Sequence, residues 1–301
     1  MLDPVLLDDL TTFARAEAET RDVEPWADLL RVILDRDLLT LEEVTWLTVL
    51  YNTYDSFSSA YNVAARWPTP DAWLAADDRN DAKNYPIMQE RRNLHGGRVN
   101  QRHYSYAKHV QIEADGNQAL WFAQPLELDD PGSDFERLNK WVRRLVQVGR
   151  QAAYELCEFA AKVLDLPVDS TDGHLWESSG PRQSIEALYI GEIRDVDHLN
   201  KVALQVKDHL EDQGVPLSWW DYETIICDHH VGTKGRYYVG QHLQALKAEI
   251  LEIDEVFAQT TILDCFESIL PPDWRDIPPG IDKSRRGLYV ATGEWATKPW
   301  W

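Results

Sequence analysis

Apolar residues recur at helical spacing along most of the chain, and this pattern predicts a mostly α-helical protein. Residues 5–19 and 26–35 read as two helices, the second with Trp26, Leu29, Leu30 and Ile33 on one face. Thr40 followed by Glu43 is a capping-box signal. The helix it opens carries Val44, Leu47 and Leu50 inward and runs to Tyr51-Asn52. Another helix starts near Asp55 or Ser56 and breaks at Trp67-Pro68-Thr69-Pro70-Asp71, before a short helix over 71–76. Residues 110–131 alternate and contain turn formers, which predicts a short β-hairpin with Asp115-Gly116 at its tip.

The next stretch organises the rest. Phe135, Leu138, Val142, Leu145 and Val146 form one apolar stripe, with Lys140, Arg143 and Arg144 on the opposite face. A tight turn at Gln147-Val148-Gly149-Arg150 leads to a second helix, to about Leu164, with Ala153, Leu156, Cys157 and Ala160 as its stripe. Together they make an αα-hairpin. A polar loop with Asp169, Asp172 and His174 follows and closes on Gly180-Pro181-Arg182. Helical pattern resumes over 185–213, a loop over 216–221 leads into 222–230, and a further helix spans 243–259. The proline-rich tail carries Lys283, Arg285 and Arg286 and ends in aromatics expected to pack back on the body. No internal repeat interrupts this order.

Composition bounds the reading. The chain has 301 residues, 44% of them hydrophobic, enough for a sizeable core. A single domain of two packed lobes is expected, with the hairpin lobe at about 132–182 and a C-terminal extension at about 262–301. No apolar run is long enough to span a membrane, and acids stand where a signal peptide needs bases, so a cytoplasmic protein is expected. Cys157, Cys227 and Cys265 are isolated and read as reduced core thiols. Thirty basic against 51 acidic residues give −21, which argues against a sequence-independent DNA coat.

Two segments run against that charge. Residues 91–109 hold Arg91, Arg92, Arg98, Arg102 and Lys108, three histidines, two tyrosines and no acid. They are either a solvated face balancing acids elsewhere or a phosphate-contacting surface, with Gly96-Gly97 letting backbone approach an anion. Residues 231–243 hold Lys234, Arg236, three glycines and two tyrosines, again without an acid. They suit an anion-binding loop or a packed turn, and no Walker pattern is present. Most of the 13 tryptophans suit a core, though some could stack on a base. A His-Asp-Cys triad has no local signature. Asp228-His229-His230 is a weak metal motif, because adjacent histidines on one element point apart. Asp172-Gly173-His174 offers a general base, or else a turn-forming Asp.

Residues 46–74 resemble the early segment of endonuclease-III-type glycosylases. Residues 145–174 are similar to that group's Leu-Pro-Gly-Val-Gly-Arg hairpin, its helix and its Val-Asp-Thr-His loop. Val146-Gln147 stand in place of Pro-Gly, and no catalytic Lys follows, which counts against base excision. More of the chain resembles the bacteriophage amino acid:DNA transferases, also called α-glutamyl/putrescinyl-thymine pyrophosphorylases. The matching pieces are Trp46-Leu47 through Tyr51-Asn52, Glu90-Arg91-Arg92-Asn93-Leu94 with Gly96-Gly97, Gly180-Pro181-Arg182, and Glu223 to Cys227 leading to Gly235-Arg236-Tyr237-Tyr238.

The resemblance implies a helix-hairpin-helix, glycosylase-like fold and thymine hypermodification in the host cytoplasm during infection. The substrate would be double-stranded phage DNA carrying pyrophosphorylated 5-hydroxymethyluracil, flipped out of the stack. Glycine or another amine would replace the pyrophosphate. Asp172, or else Asp169 or His174, would take the proton of the incoming ammonium. Arg91, Arg92, Asn93, Arg182, Lys234 and Arg236, with Tyr51, Asn52 and Asp55, would hold pyrophosphate and substrate. Gln147, Val148, Gly149 and Arg150, with Arg98 and Arg102, would hold DNA. No cofactor is implied, though a divalent cation such as Mg could assist departure of pyrophosphate. The competing functions are a glycosylase for a modified base and a DNA-binding module without catalysis.

Overall fold

The computed structural model describes residues 1–88, 94, 96–128, 130–295 and 298–299. Within them the protein is an all-α fold, 66% helical and without strands. Its contacts group the chain into two compact units. The first is Met1–Pro25, Ser170–Ala248 and Glu267–Trp301; the second is Trp26–Asp169 with Glu249–Phe266.

The second unit begins with α2 (Pro25–Asp35), α3 (Leu41–Tyr54), α4 (Phe57–Arg66) and α5 (Pro70–Ala75). The Thr40/Glu43 capping box forms as the sequence predicts, with both reciprocal hydrogen bonds present. Ser56 caps α4 and Thr69 caps α5. A 3-10 turn over Arg79–Asn84 leads towards α6 (Gly97–Ala114), α7 (Gln118–Ala123), α8 (Pro131–Val142) and α9 (Arg150–Lys162). Helix α3 packs on α4, α6, α7 and α9, and α8 pairs with α9.

The core between them is aromatic. Trp46 stacks on Tyr106 at 6.0 Å, Tyr106 meets Trp121 edge-on at 5.4 Å, and Phe122 meets Phe159 at 5.9 Å. The Trp46 indole N–H is satisfied by the Trp67 carbonyl at 2.8 Å, as a buried tryptophan requires. Eight of the described tryptophans are buried, so this residue type serves packing first.

The expected β-hairpin over 110–131 is absent among the described residues. Helix α6 runs through it to Ala114, and Asp115 and Gly116, both at positive φ, close that helix with Gly116 N–H on the Val110 carbonyl. Asn117 then caps α7. The turn residues were real, but they end a helix rather than join strands.

In the first unit, α1 (Pro4–Thr20) packs on α11 (Val196–Asp212) and α12 (Trp219–Thr233), and α10 (Ser179–Leu188) packs on both of these. The helix expected over 185–213 is two helices. Backbone groups of 188–190 instead pair with the first residues of the chain: Asp3 N–H bonds the Leu188 carbonyl, and Ile190 N–H bonds that of Met1. Ser218 caps α12, so Trp219–Asp221 are helical rather than loop. The helix expected over 243–259 also divides, into α13 (Gln241–Ile250) and α14 (Val256–Ile269), where Glu255 caps the backbone N–H groups of Phe257 and Ala258. Near the end, α15 (Leu288–Thr292) precedes Trp295, whose ring is buried 4.5 Å from Phe13 and 4.0 Å from Tyr289. That part of the tail packs back as expected.

Candidate functional site

The αα-hairpin is present. Helix α8 stops at Val142, earlier than its apolar stripe suggests, and residues 143–149 form the turn. Leu145 and Val148 point inward, while Gln147 sits exposed in the left-handed region at φ 64°. Gly149 occupies the N-cap of α9, is exposed, and offers no side chain to the first N–H groups of that 13-residue helix. Open N–H groups at a helix N-terminus suit phosphate oxygens. Arg150 is the first residue of α9. Arg144 lies 3.5 Å over the Trp141 ring and pairs with Glu113 at 2.7 Å, so it braces the turn.

Of the basic block, Arg91, Arg92 and Asn93 lie outside the described residues. The rest divides by helix face. Arg98 is exposed on the first turn of α6. Arg102 is only 1% exposed, which takes it off any DNA-contacting surface and corrects its expected role. The reason is its register: Val99, Arg102, His103, Tyr106 and Val110 form the inward stripe of α6. His103 beside it is fully buried against Trp46, Tyr54 and Trp73, and burial, then the Arg102 charge, push its pKa down to about 3. It is a neutral core imidazole.

The end of α3 lies beside the hairpin's second helix. Asn52 is buried and donates to the Ala152 carbonyl (3.2 Å) and Glu155 (2.6 Å) of α9. Tyr51 stacks on Trp26 at 5.0 Å. Asp55, at φ 54°, closes α3 through its N–H to the Tyr51 carbonyl. Asn52 thereby acts as a structural tie between α3 and α9. Asp169 is half-buried in the same unit and donates its N–H to the Pro131 carbonyl at 3.1 Å.

Asp172 and His174 belong to the other unit, so the polar loop divides between Asp169 and Ser170. Asp172 is half-buried and fixed from two sides. Its Oδ1 accepts the His174 backbone N–H at 2.9 Å, and its Oδ2 accepts Asn200 Nδ2 from α11 at 3.1 Å. Gly173 and His174 both take left-handed conformations, φ 61° and 52°, which folds the loop around that carboxylate. Asp172 is therefore the turn-former and also an oriented acceptor. The sequence singled it out without its partner Asn200, which lies 28 residues away and carries no local signal.

Gly180-Pro181-Arg182 forms the first turn of α10 rather than the end of a loop. A Cβ on Gly180 would lie 3.0 Å from Cys227 Sγ, so this glycine lets α10 and α12 approach closely. Arg182 lies 5.4 Å over the Trp176 ring and 3.5 Å from Glu186. The next residue, Gln183, contacts His230 at 3.2 Å, and Lys234 donates to the same ring at 2.6 Å. Burial, then the Lys234 charge, lower the pKa of His230. Arg182 lies on α10 and Lys234 caps the end of α12, and these two helices pack directly.

The glycine-rich loop is a packed turn that leaves its two cations outside. Its tyrosines are packed: Tyr237 OH contacts Glu17 at 3.0 Å and Asp22 at a shorter distance, and Tyr238 OH meets Gln244. Asp22 also accepts N–H groups from Gly240 (2.6 Å) and Leu243 (2.8 Å). Burial raises the carboxyl pKa values of Glu17 and Asp22, and Asp22 raises Glu17 further. His242 moves the opposite way from its own burial, because Asp228 at 3.0 Å, with Asp22 and Glu24, favours its charged form and raises it well above 6.5. Lys234 and Arg236 stay exposed on this clamped loop. No sequence signal identified Glu17 or Asp22, more than 200 residues from the tyrosine they hold.

Asp228, His229 and His230 do point apart, to His242, to Asp9 and to Gln183 with Lys234. Among the described residues no three or more metal-ligating side chains converge. Cys157, Cys227 and Cys265 are not in disulfides. None of the described helices is long and apolar enough to cross a membrane.

A model of the amino acid:DNA transferase family (ADDT) matches residues 18–238 of this chain. No curated protein matches it.

Proposed function

Since the chain belongs to the amino acid:DNA transferase family, whose members transfer amino acids onto DNA, we propose a specific reaction for it. It transfers an amino acid, glycine favoured, or another amine onto 5-(pyrophosphorylated hydroxymethyl)uracil in phage DNA, with release of pyrophosphate. The amine lone pair forms a C–N bond at the C5 methylene, and the C–O bond breaks with its electron pair on pyrophosphate. The proton of the attacking ammonium passes to Asp172.

The observation that carries this reading is the carboxylate of Asp172, aimed by two donors from different elements while keeping lone pairs for a third partner. Lys234 and Arg236, exposed on their anchored loop, and Arg182 on α10 suit a highly charged leaving group. Asp169 and His174 are the other candidates for the base. The turn at Gln147–Arg150, on a glycosylase-like pair of helices, suits the DNA backbone.

The test is incubation with DNA bearing the pyrophosphorylated base, with and without glycine, followed by nucleoside mass spectrometry and pyrophosphate assay. A heavier nucleoside with stoichiometric pyrophosphate supports transfer. Abasic sites would assign a glycosylase instead. Unchanged DNA that is still bound would leave a DNA-binding module.

A further inference from the structure

A cleft of about 840 Å³ runs along α6 in the unit that carries the hairpin. Arg79 and Lys83 form one side, and Gly97, Tyr104, Lys108 and His109 of α6 form another. None of the described residues lining it is acidic, in a chain with 51 acids and 30 bases. The outward face of α6 is thus opposite in character to its buried stripe.

The lining groups are arranged for a polyanion. Arg79 donates to the Leu74 and Ala76 carbonyls at 2.8 and 3.2 Å, which fixes its guanidinium in the wall without neutralising it. Lys108 is held by Gln111 at 2.8 Å and stands 5.9 Å from the ring of Tyr104, itself 49% exposed. Gly97 opens the end of the cleft at the N-terminus of α6, an 18-residue helix with no side-chain cap. From Gly97 to Lys108 the helix rises roughly 16 Å, a span that suits successive phosphates better than one small anion. At its other edge the cleft includes Val146, whose N–H bonds Ser105 of α6 at 3.0 Å. The cleft and the hairpin turn are therefore one continuous surface.

We propose that this cleft is a second DNA-contact surface, holding the phosphodiester backbone of the strand that the hairpin engages. Lys83 and Lys108 neutralise phosphates, and Tyr104 lends a flat apolar face to a sugar or base. The inference rests on the reading of DNA as substrate and extends it from the hairpin turn along α6 to Lys83, Tyr104 and Lys108.

Fluorescence anisotropy of a labelled duplex, titrated at several salt concentrations, tests it in the full chain. The variants are Lys83→Ala/Lys108→Ala, Tyr104→Ala and, for the hairpin, Arg150→Ala, each checked for an unchanged circular dichroism melt. Loss of two phosphate contacts reduces the slope of log affinity against log salt by about 1.8. The affinity lost between about 50 and 200 mM salt then shrinks roughly tenfold relative to the parent protein. Tyr104→Ala lowers affinity without changing the slope. If Arg150→Ala weakens binding while the lysine pair keeps the parent slope, the cleft is overturned and the DNA reading survives. If the parent protein shows no salt-dependent binding, both fall. Equal competition by inorganic phosphate at low concentration would make this a small-anion site and overturn the proposal.

Discussion

Replacing Glu249 by Gln should stabilise the protein at neutral and alkaline pH, and the gain should vanish in acid. Glu249 sits in the last turn of α13, and its carboxyl accepts the backbone N–H of Phe57, the first residue of α4. A negative charge at a helix N-terminus is ordinarily favourable. Burial outweighs that here: it is the largest influence, the Phe57 N–H opposes it, and nearby Glu252 adds to it, so the pKa rises from 4.5 to about 7. A carboxyl whose pKa is raised by folding contributes stability that is fully present below its unfolded value and lost as pH climbs through the folded one. The window is therefore 4.5 to about 7. A shift of that size corresponds to about 3 kcal/mol once the group is ionised.

Gln keeps the shape and the acceptor for Phe57 N–H but cannot ionise. Urea denaturation of both proteins at about pH 4, 6 and 8 isolates the effect, because the other shifted groups, such as Glu17, Asp22 and His103, cancel in the difference. Near parity at the lowest pH and a variant more stable by up to about 3 kcal/mol at the highest are expected. A difference that stays flat across the series, or grows towards acid, would refute the reasoning.

Three further outcomes follow from single contacts. Asp172→Asn should lower transfer by about 10²-fold or more while DNA affinity holds, since Asn still accepts the His174 N–H and the Asn200 amide can turn to present its oxygen; full turnover in that variant would remove Asp172 as the base. Tyr237→Phe strips a buried donor from Glu17 and Asp22 and should cost about 1–3 kcal/mol in thermal or chemical denaturation. An unchanged melt would mean that the two carboxyls satisfy each other without it. Gly232→Ala would place a Cβ 2.6 Å from the Trp295 ring, so the tail segment should lift, with about 1–3 kcal/mol lost and new protease sensitivity around residues 288–295. Parent-like proteolysis would show that the ring can shift within its pocket.

The sequence by itself determined what depends on neighbours along the chain. Helical content, the Thr40/Glu43 box, the αα-hairpin with Gly149 at its turn, and the turn-forming Asp172 were all readable because their signals span a few residues. Helix ends were less readable. The 185–213 pattern hid a break made by pairing with Met1 and Asp3, a partner no local window contains. Asp115-Gly116 looked like a hairpin tip because the same left-handed residues serve both a strand turn and a helix stop. The basic block shows the limit most clearly. Composition counted Arg98, Arg102 and Lys108 alike, but less than two turns of α6 separate a buried arginine from the lysine that faces the cleft. Its 3.6-residue stripe of Val99, Arg102, Tyr106 and Val110 did carry that information, in register rather than in charge. Tertiary structure alone decided the aim of Asp172 by Asn200 and the clamping of Tyr237 by Glu17 and Asp22. Such contacts join residues tens to hundreds of positions apart, and burial sets their energy, which no run of letters displays.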